Sequence, residues 1–174
     1  MMDRVLIDTL NFKSTILGMR WKDEVRKNTQ LIHYNSLNDD LLTRIGAGIF
    51  PELANFVEHG LNRSVLGSYF VKMGKGSVHR GYPISETVYG LRIGQQIILE
   101  YMESEFVLDN PVALYQTISI IPRVADFFLL GCFYVNKGFQ EATFANMSAH
   151  DGVSEKLLRK YFKDDFFFKT EDED

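Results

Sequence analysis

His79-Arg80-Gly81-Tyr82-Pro83-Ile84-Ser85-Glu86-Thr87-Val88 opens the stretch from which the fold is read, and it continues as YGLRIGQQIILEYMESEF to Phe106. Proline suits the first turn of a helix, because its missing N–H has no intrahelical partner there. Glu86 in the same turn meets the positive end of the helix dipole. Ile84, Val88, Leu91, Gln95, Ile98 and Met102 share one helical face, and Ile93, Ile97 and Tyr101 widen it. Gly90 and Gly94 stand four apart on that side, where a missing Cβ lets another helix come close. They are the candidate helix-packing residues.

The same three- and four-residue spacing extends in both directions. Residues 3–32 read as helix through Val5, Leu6, Leu10, Phe12, Ile16, Leu17, Trp21, Val25, Leu31 and Ile32, with a break expected near Lys13 or Gly18. His33 to Ser36 reads as a loop, with Ser36 as the cap of the next helix and Asp39 as its capping-box partner. Gly46, Gly48 and Pro51 then predict an interruption, with one short helix ending near Gly46 or Ala47 and another starting near Phe50. Met73-Gly-Lys-Gly-Ser77 reads as a helix–helix turn. It lacks the phosphate-loop pattern, since Gly76 follows Lys75 and six residues, not four, separate Gly67 from Gly74.

After Asp109-Asn110-Pro111 a long helix is predicted, kinked or broken at Pro122. The apolar run 127–135 predicts an element buried all round. Ser148 to Gly152 reads as a turn and Ser154 to Asp165 as a last short helix. Phe166-Phe167-Phe168 and the acidic TEDED end follow. No period-2 strand appears. The expected fold is an all-α, single-domain helical bundle, a globin-like arrangement being one form of it. Residues 1–152 would form the helical domain and 153–174 a C-terminal helix with a solvated acidic tail.

Bulk properties narrow the function. The chain has 174 residues, 45% of them apolar, enough for a sizeable core. A net charge of −4 argues against a nucleic-acid-binding face. The single cysteine, Cys132, excludes an internal disulfide and reads as a small buried hydrophobe in a reducing compartment. The N-terminus carries Asp3 and Asp8 within its apolar run, unlike a signal peptide. No apolar run is expected to approach the roughly 18 residues of a membrane span, the densest, Val124 to Val135, being broken by Asp126. The expectation is a cytoplasmic protein with no membrane contact.

Chemistry is sparse. His33, His59, His79 and His150 form no metal-type pair, and no Gly-x-Ser-x-Gly elbow is present. Glu86, Glu100, Glu103 and Glu105 fit the solvated side of a helix. No catalytic residue, metal ligand or cofactor is expected. The candidate ligand or interaction residues are Arg92, Arg123, Asp126 and His59. Arg123 and Asp126 are three apart and able to pair; Arg92 lies within the apolar helix. His59 is the candidate proximal ligand if the chain holds haem.

Tyr69-Phe70, then Val78-His79-Arg80-Gly81-Tyr82-Pro83-Ile84-Ser85-Glu86-Thr87-Val88, then Leu91-Arg92-Ile93 together resemble the turn and following helix of the RsbRD-type sensor domain. This is the helical N-terminal domain of RsbT co-antagonist proteins. The likeness extends over most of residues 3–145, with the Trp21 helix, the Ser36–Asp39 cap and the Pro51 break in the same order. It implies an all-α sensory or protein-interaction module of bacterial signalling, not an enzyme, and assigns no ligand residues. The chain departs from the pattern after residue 145, where a short helix replaces an output domain. The implied partner is a signalling protein or a second copy of the chain. The alternative is a small-ligand or haem-binding, globin-like domain.

Overall fold

The computed structural model describes residues 2–60, 63–105 and 111–162, and every regular element among them is an α-helix. In order these are α1 (Met2–Phe12), α2 (Ser14–Lys27), α3 (Ile32–Asn35), α4 (Asp39–His59), α5 (Arg63–His79), α6 (Ile84–Glu105), α7 (Pro111–Ser148) and α8 (Glu155–Tyr161). The fold is an all-α helical bundle. Phe166-Phe167-Phe168, the acidic end and Asp109-Asn110 lie outside the described residues.

Contacts group the chain into two compact units. The first comprises Met1–Asn62 and Tyr89–Leu129, the second Arg63–Val88 and Leu130–Asp174. In the first unit α2 packs along α4, and α1 packs on both. Leu6, Leu10, Leu17, Trp21, Val25, Leu42, Phe50 and Leu53 supply its buried apolar face, joined by Leu91, Ile98, Val124 and Phe127. Burial of such side chains contributes about 1.5–3 kcal/mol each. Trp21 lies edge-on to Tyr34, with ring centroids 5.4 Å apart, and donates its indole N–H to the Gly90 carbonyl at 2.8 Å.

The first break falls at Lys13, one of the two positions expected. Helix α2 ends at Lys27, short of residue 32, and Ile32–Asn35 forms one helical turn in place of the predicted loop. The cap of α4 is Asn38, not Ser36. The Asn38 side chain accepts from the Leu41 N–H at 2.8 Å, while Ser36 Oγ donates to the His33 carbonyl. The chain therefore passes Ser36 still turning, and the first residue free to adopt the extended cap conformation is Asn38.

Helix α4 runs unbroken through Gly46, Gly48 and Pro51. Pro51 is exposed, on the side where solvent can satisfy the carbonyl its ring leaves without a donor. Gly46 is a contact point: a Cβ there would lie 2.8 Å from the Trp21 ring. Its helix-weakening cost is offset by the approach of α2. Gly60, at φ +75°, ends the helix.

In the second unit, Met73 to Ser77 is not a turn but part of α5. A Cβ on Gly74 would come within 2.0 Å of the Val135 carbonyl oxygen, and one on Gly138 within 2.1 Å of the Val71 carbonyl oxygen. These glycines let the backbones of α5 and α7 touch. The true stop comes at His79. Gly81 N–H bonds the Val78 carbonyl and Tyr82 N–H the Ser77 carbonyl, with Gly81 at φ +70°. That pair of bonds is the Schellman termination, which needs a left-handed residue and hence glycine. Pro83 follows and α6 begins, as expected from its position.

Helix α7 continues through Pro122, which is exposed, so the helix is not broken there. Its segment Ile118–Ser148 is long and apolar enough to cross a membrane by length and composition, because the helix joins two runs that the sequence reading separated. One side of that segment is packed inside the protein, through Ile120, Val124, Phe127, Tyr134 and Val135. Residues 127–135 are not buried all round: Leu129 is 67% and Phe133 57% exposed.

Candidate functional site

Helix α2 stops where Asn28 turns extended (φ −99°, ψ 105°) and its N–H bonds the Val25 carbonyl. Asn28 Oδ1 accepts from the Gln30 N–H at 2.9 Å, a side-chain turn that folds the next residues back. Asn35 Nδ2 donates to the Asn28 carbonyl at 2.8 Å, and Leu31 is buried beneath. Arg26 clamps the far side of this turn, donating to the Asn35 and Leu37 carbonyls and to Asp39 at 2.6–2.7 Å. These bonds hold the turn 28–31 in place.

Opposite it, α6 presents Tyr89, Arg92, Ile93 and Gln96. The two elements enclose an open cleft of about 420 Å³, walled on the α2 side by Glu24, Lys27 and residues 28–30. The Arg92 guanidinium lies over the Tyr89 ring, 5.4 Å from its centroid. Its hydrogen bond to Gln96 Oε1 is long, 3.5 Å, and the residue is exposed, so its other N–H donors are open to solvent. Gln96 Nε2 donates to Glu100 at 2.8 Å, and Glu100 lies 3.7 Å from Arg20. Across the cleft Lys27 Nζ is 2.6 Å from Glu24, whose hydrogen bond holds the ammonium above its ordinary pKa.

Among the sequence candidates, Arg92 alone lines this cleft. Arg123 donates to the Val57 carbonyl of α4, near the end of that helix. Asp126 is exposed, and no hydrogen bond or ion pair among the described residues joins it to Arg123. One turn of helix brings the two near, but Arg123 reaches inward to backbone instead. His59, in the last turn of α4, is 65% exposed and bonds Asn55 Oδ1 at 2.8 Å. A solvent-facing imidazole at a helix end is not placed as a proximal haem ligand. Gly90 and Gly94 are buried, against Trp21 and Tyr34 and against Phe128 respectively.

Glu86 is not on a solvated face: it is 5% exposed, beside a buried Ser77 Oγ–Thr87 Oγ1 hydrogen bond of 2.7 Å. Glu100 and Glu103 are exposed, and Glu105 lies outside the described side chains. Lys75 is committed to Glu141 at 2.7 Å. Among the described residues no group of three or more His, Cys, Asp or Glu is gathered to hold a metal ion. The cleft's α2 wall escaped the sequence reading. Its one local signal is the Asn28-Thr29-Gln30 run, where the apolar period lapses, and nothing in one dimension joins it to Arg92.

Comparison with protein-family models, with curated proteins and with solved structures finds no match.

Proposed function

We propose that this chain is a non-enzymatic sensory or regulatory module of bacterial signalling that acts on other proteins through a helix face. The observation that carries the protein-contact part is the outer side of α7 in the first unit. Tyr115 (76% exposed), Ile118 (56%), Pro122 and Leu129 fall within about 60° of one another around the helix and span about 21 Å along it. An aligned row of exposed large apolar groups marks an interaction surface more often than scattered ones do. The signalling part rests on the resemblance carried by Val78–Val88 and its flanks.

Sedimentation velocity from micromolar to millimolar concentration, with affinity capture on wild-type and Leu129→Glu baits, tests the reading. Self-association, or a captured protein that the variant loses, is expected. A monomer whose captured proteins are the same for both baits contradicts it.

A further inference from the structure

The cleft between α2 and α6 has a chemistry that the helix-face reading does not use. Its charged walls are two cations, Lys27 and Arg92, and one carboxylate, Glu24. Glu24 holds the Lys27 ammonium through one oxygen, Oε1, at 2.6 Å, so its Oε2 is still an acceptor, and Arg92 carries the cleft charge that has no ion-pair partner among the described residues. A planar guanidinium presents paired N–H groups in the geometry that a carboxylate accepts. The Tyr89 ring attracts the guanidinium without occupying its donors. The α2 side carries Lys27 but also acceptors. It offers the carboxyl end of a helix, where the dipole is negative, and Glu24 beside it. That end favours a cation. Between the two poles lie the side-chain amides of Asn28, Gln30 and Gln96, which can donate and accept.

We propose that this cleft binds a small zwitterion of the free amino-acid class, its carboxylate on Arg92 and its ammonium toward Glu24 and the end of α2. A phosphate dianion fits worse. It would face Glu24 and a negative helix end, with no second unpaired cation and no helix N-terminus to receive it. The volume of about 420 Å³ lies within the usual range for small-ligand sites and exceeds the need of one amino acid, so a side chain is accommodated. The turn that forms the α2 wall is pinned by Asn35, so the site is preformed rather than assembled on binding.

Titration of the isotope-labelled full chain with glycine, alanine and glutamine, followed by backbone amide shifts, tests this, with acetate and inorganic phosphate as comparison probes. Saturable shifts confined to residues 24–30 and 89–96 are expected for the amino acids. Arg92→Gln removes a charge-assisted pair and should weaken that binding about tenfold or more. Glu24→Gln should weaken amino-acid binding relative to acetate, which the freed Lys27 ammonium favours. Both side chains lie at the surface of the cleft, and unchanged thermal unfolding of the variants serves as the control. Absence of saturable shifts, equal binding of phosphate, or indifference to Arg92→Gln overturns the proposal. The outcome is independent of the α7 reading, which neither gains nor loses by it.

Discussion

The indole N–H of Trp21 donates to the carbonyl of Gly90 at 2.8 Å, joining the middle of α2 to the second turn of α6. A Cβ on Gly90 would meet Trp21 Cζ2 at 3.0 Å. The ring is 1% exposed and has no free side to move into, since it also rests on Gly46. A glycine-to-alanine change in a helix ordinarily stabilises by about 1 kcal/mol. Here the sign should reverse: Gly90→Ala is expected to destabilise by about 1–3 kcal/mol. Trp21→Phe should also destabilise, by loss of volume and of the indole bond. Urea unfolding of the three proteins measures both.

The second unit offers a harsher version of the same test. At Gly74 and Gly138 the obstructing atoms are backbone carbonyls of the opposite helix, which cannot rotate away. Gly74→Ala or Gly138→Ala is expected to cost at least as much as Gly90→Ala, in the upper part of the about 1–3 kcal/mol range for overpacking or beyond it. Gly48, exposed on α4, serves as the control, where alanine should be neutral or stabilising. Thermal unfolding ranks the variants.

The Lys75–Glu141 pair brings a nearly buried carboxylate, 8% exposed, to 2.7 Å from a half-exposed ammonium. Lys75→Met removes the cation and leaves the carboxylate in place. A loss of about 1–3 kcal/mol is expected, reduced from that of a fully buried pair by the exposure of Lys75. Lys75→Met combined with Glu141→Leu should recover part of it, because the buried carboxylate is then removed along with the cation it faced. A double-mutant cycle by urea unfolding reads the coupling.

Arg26 holds the Asp39 carboxyl below its usual pKa through a direct hydrogen bond, with Lys22 adding to the effect. A lowered folded-state pKa means that the stabilisation is fully present above the unfolded value, about 4. It is lost as pH falls through the lower folded value. Asp39→Asn should therefore be less stable than wild type near pH 6, and the difference should vanish near pH 2. Carboxyl NMR titration of Asp39 should place its midpoint below that of an unstructured aspartate.

Elements were legible where apolar spacing was regular. The helicity of α6 and α7 follows from it, while the break at Lys13 and the start of α6 after Pro83 follow from local helix-weakening and helix-starting residues. What misled were the local helix breakers. Gly46, Pro51, Gly74, Gly76 and Pro122 each carry a local penalty of about 1–3 kcal/mol. Burial of Leu53 and Phe50, and backbone contacts that only glycine permits, outweigh it. Such contacts are tertiary and leave no one-dimensional sign. The exposure of Leu129 and Phe133 was hidden for a related reason: an apolar run does not say which of its faces has a neighbour. Arg92 was visible as a charge in an apolar helix, but its cleft depends on a turn some sixty positions earlier.

The helix-face reading is tested most directly by a photo-crosslinking amino acid placed in the full chain inside living cells. Positions Ile118 and Leu129 sample the exposed apolar row, and exposed Arg44 on α4 is the comparison site. The account predicts one discrete polypeptide adduct shared by 118 and 129 and absent at 44. No polypeptide adduct at 118 and 129, adducts to lipid alone, or the same adducts at all three positions would contradict it.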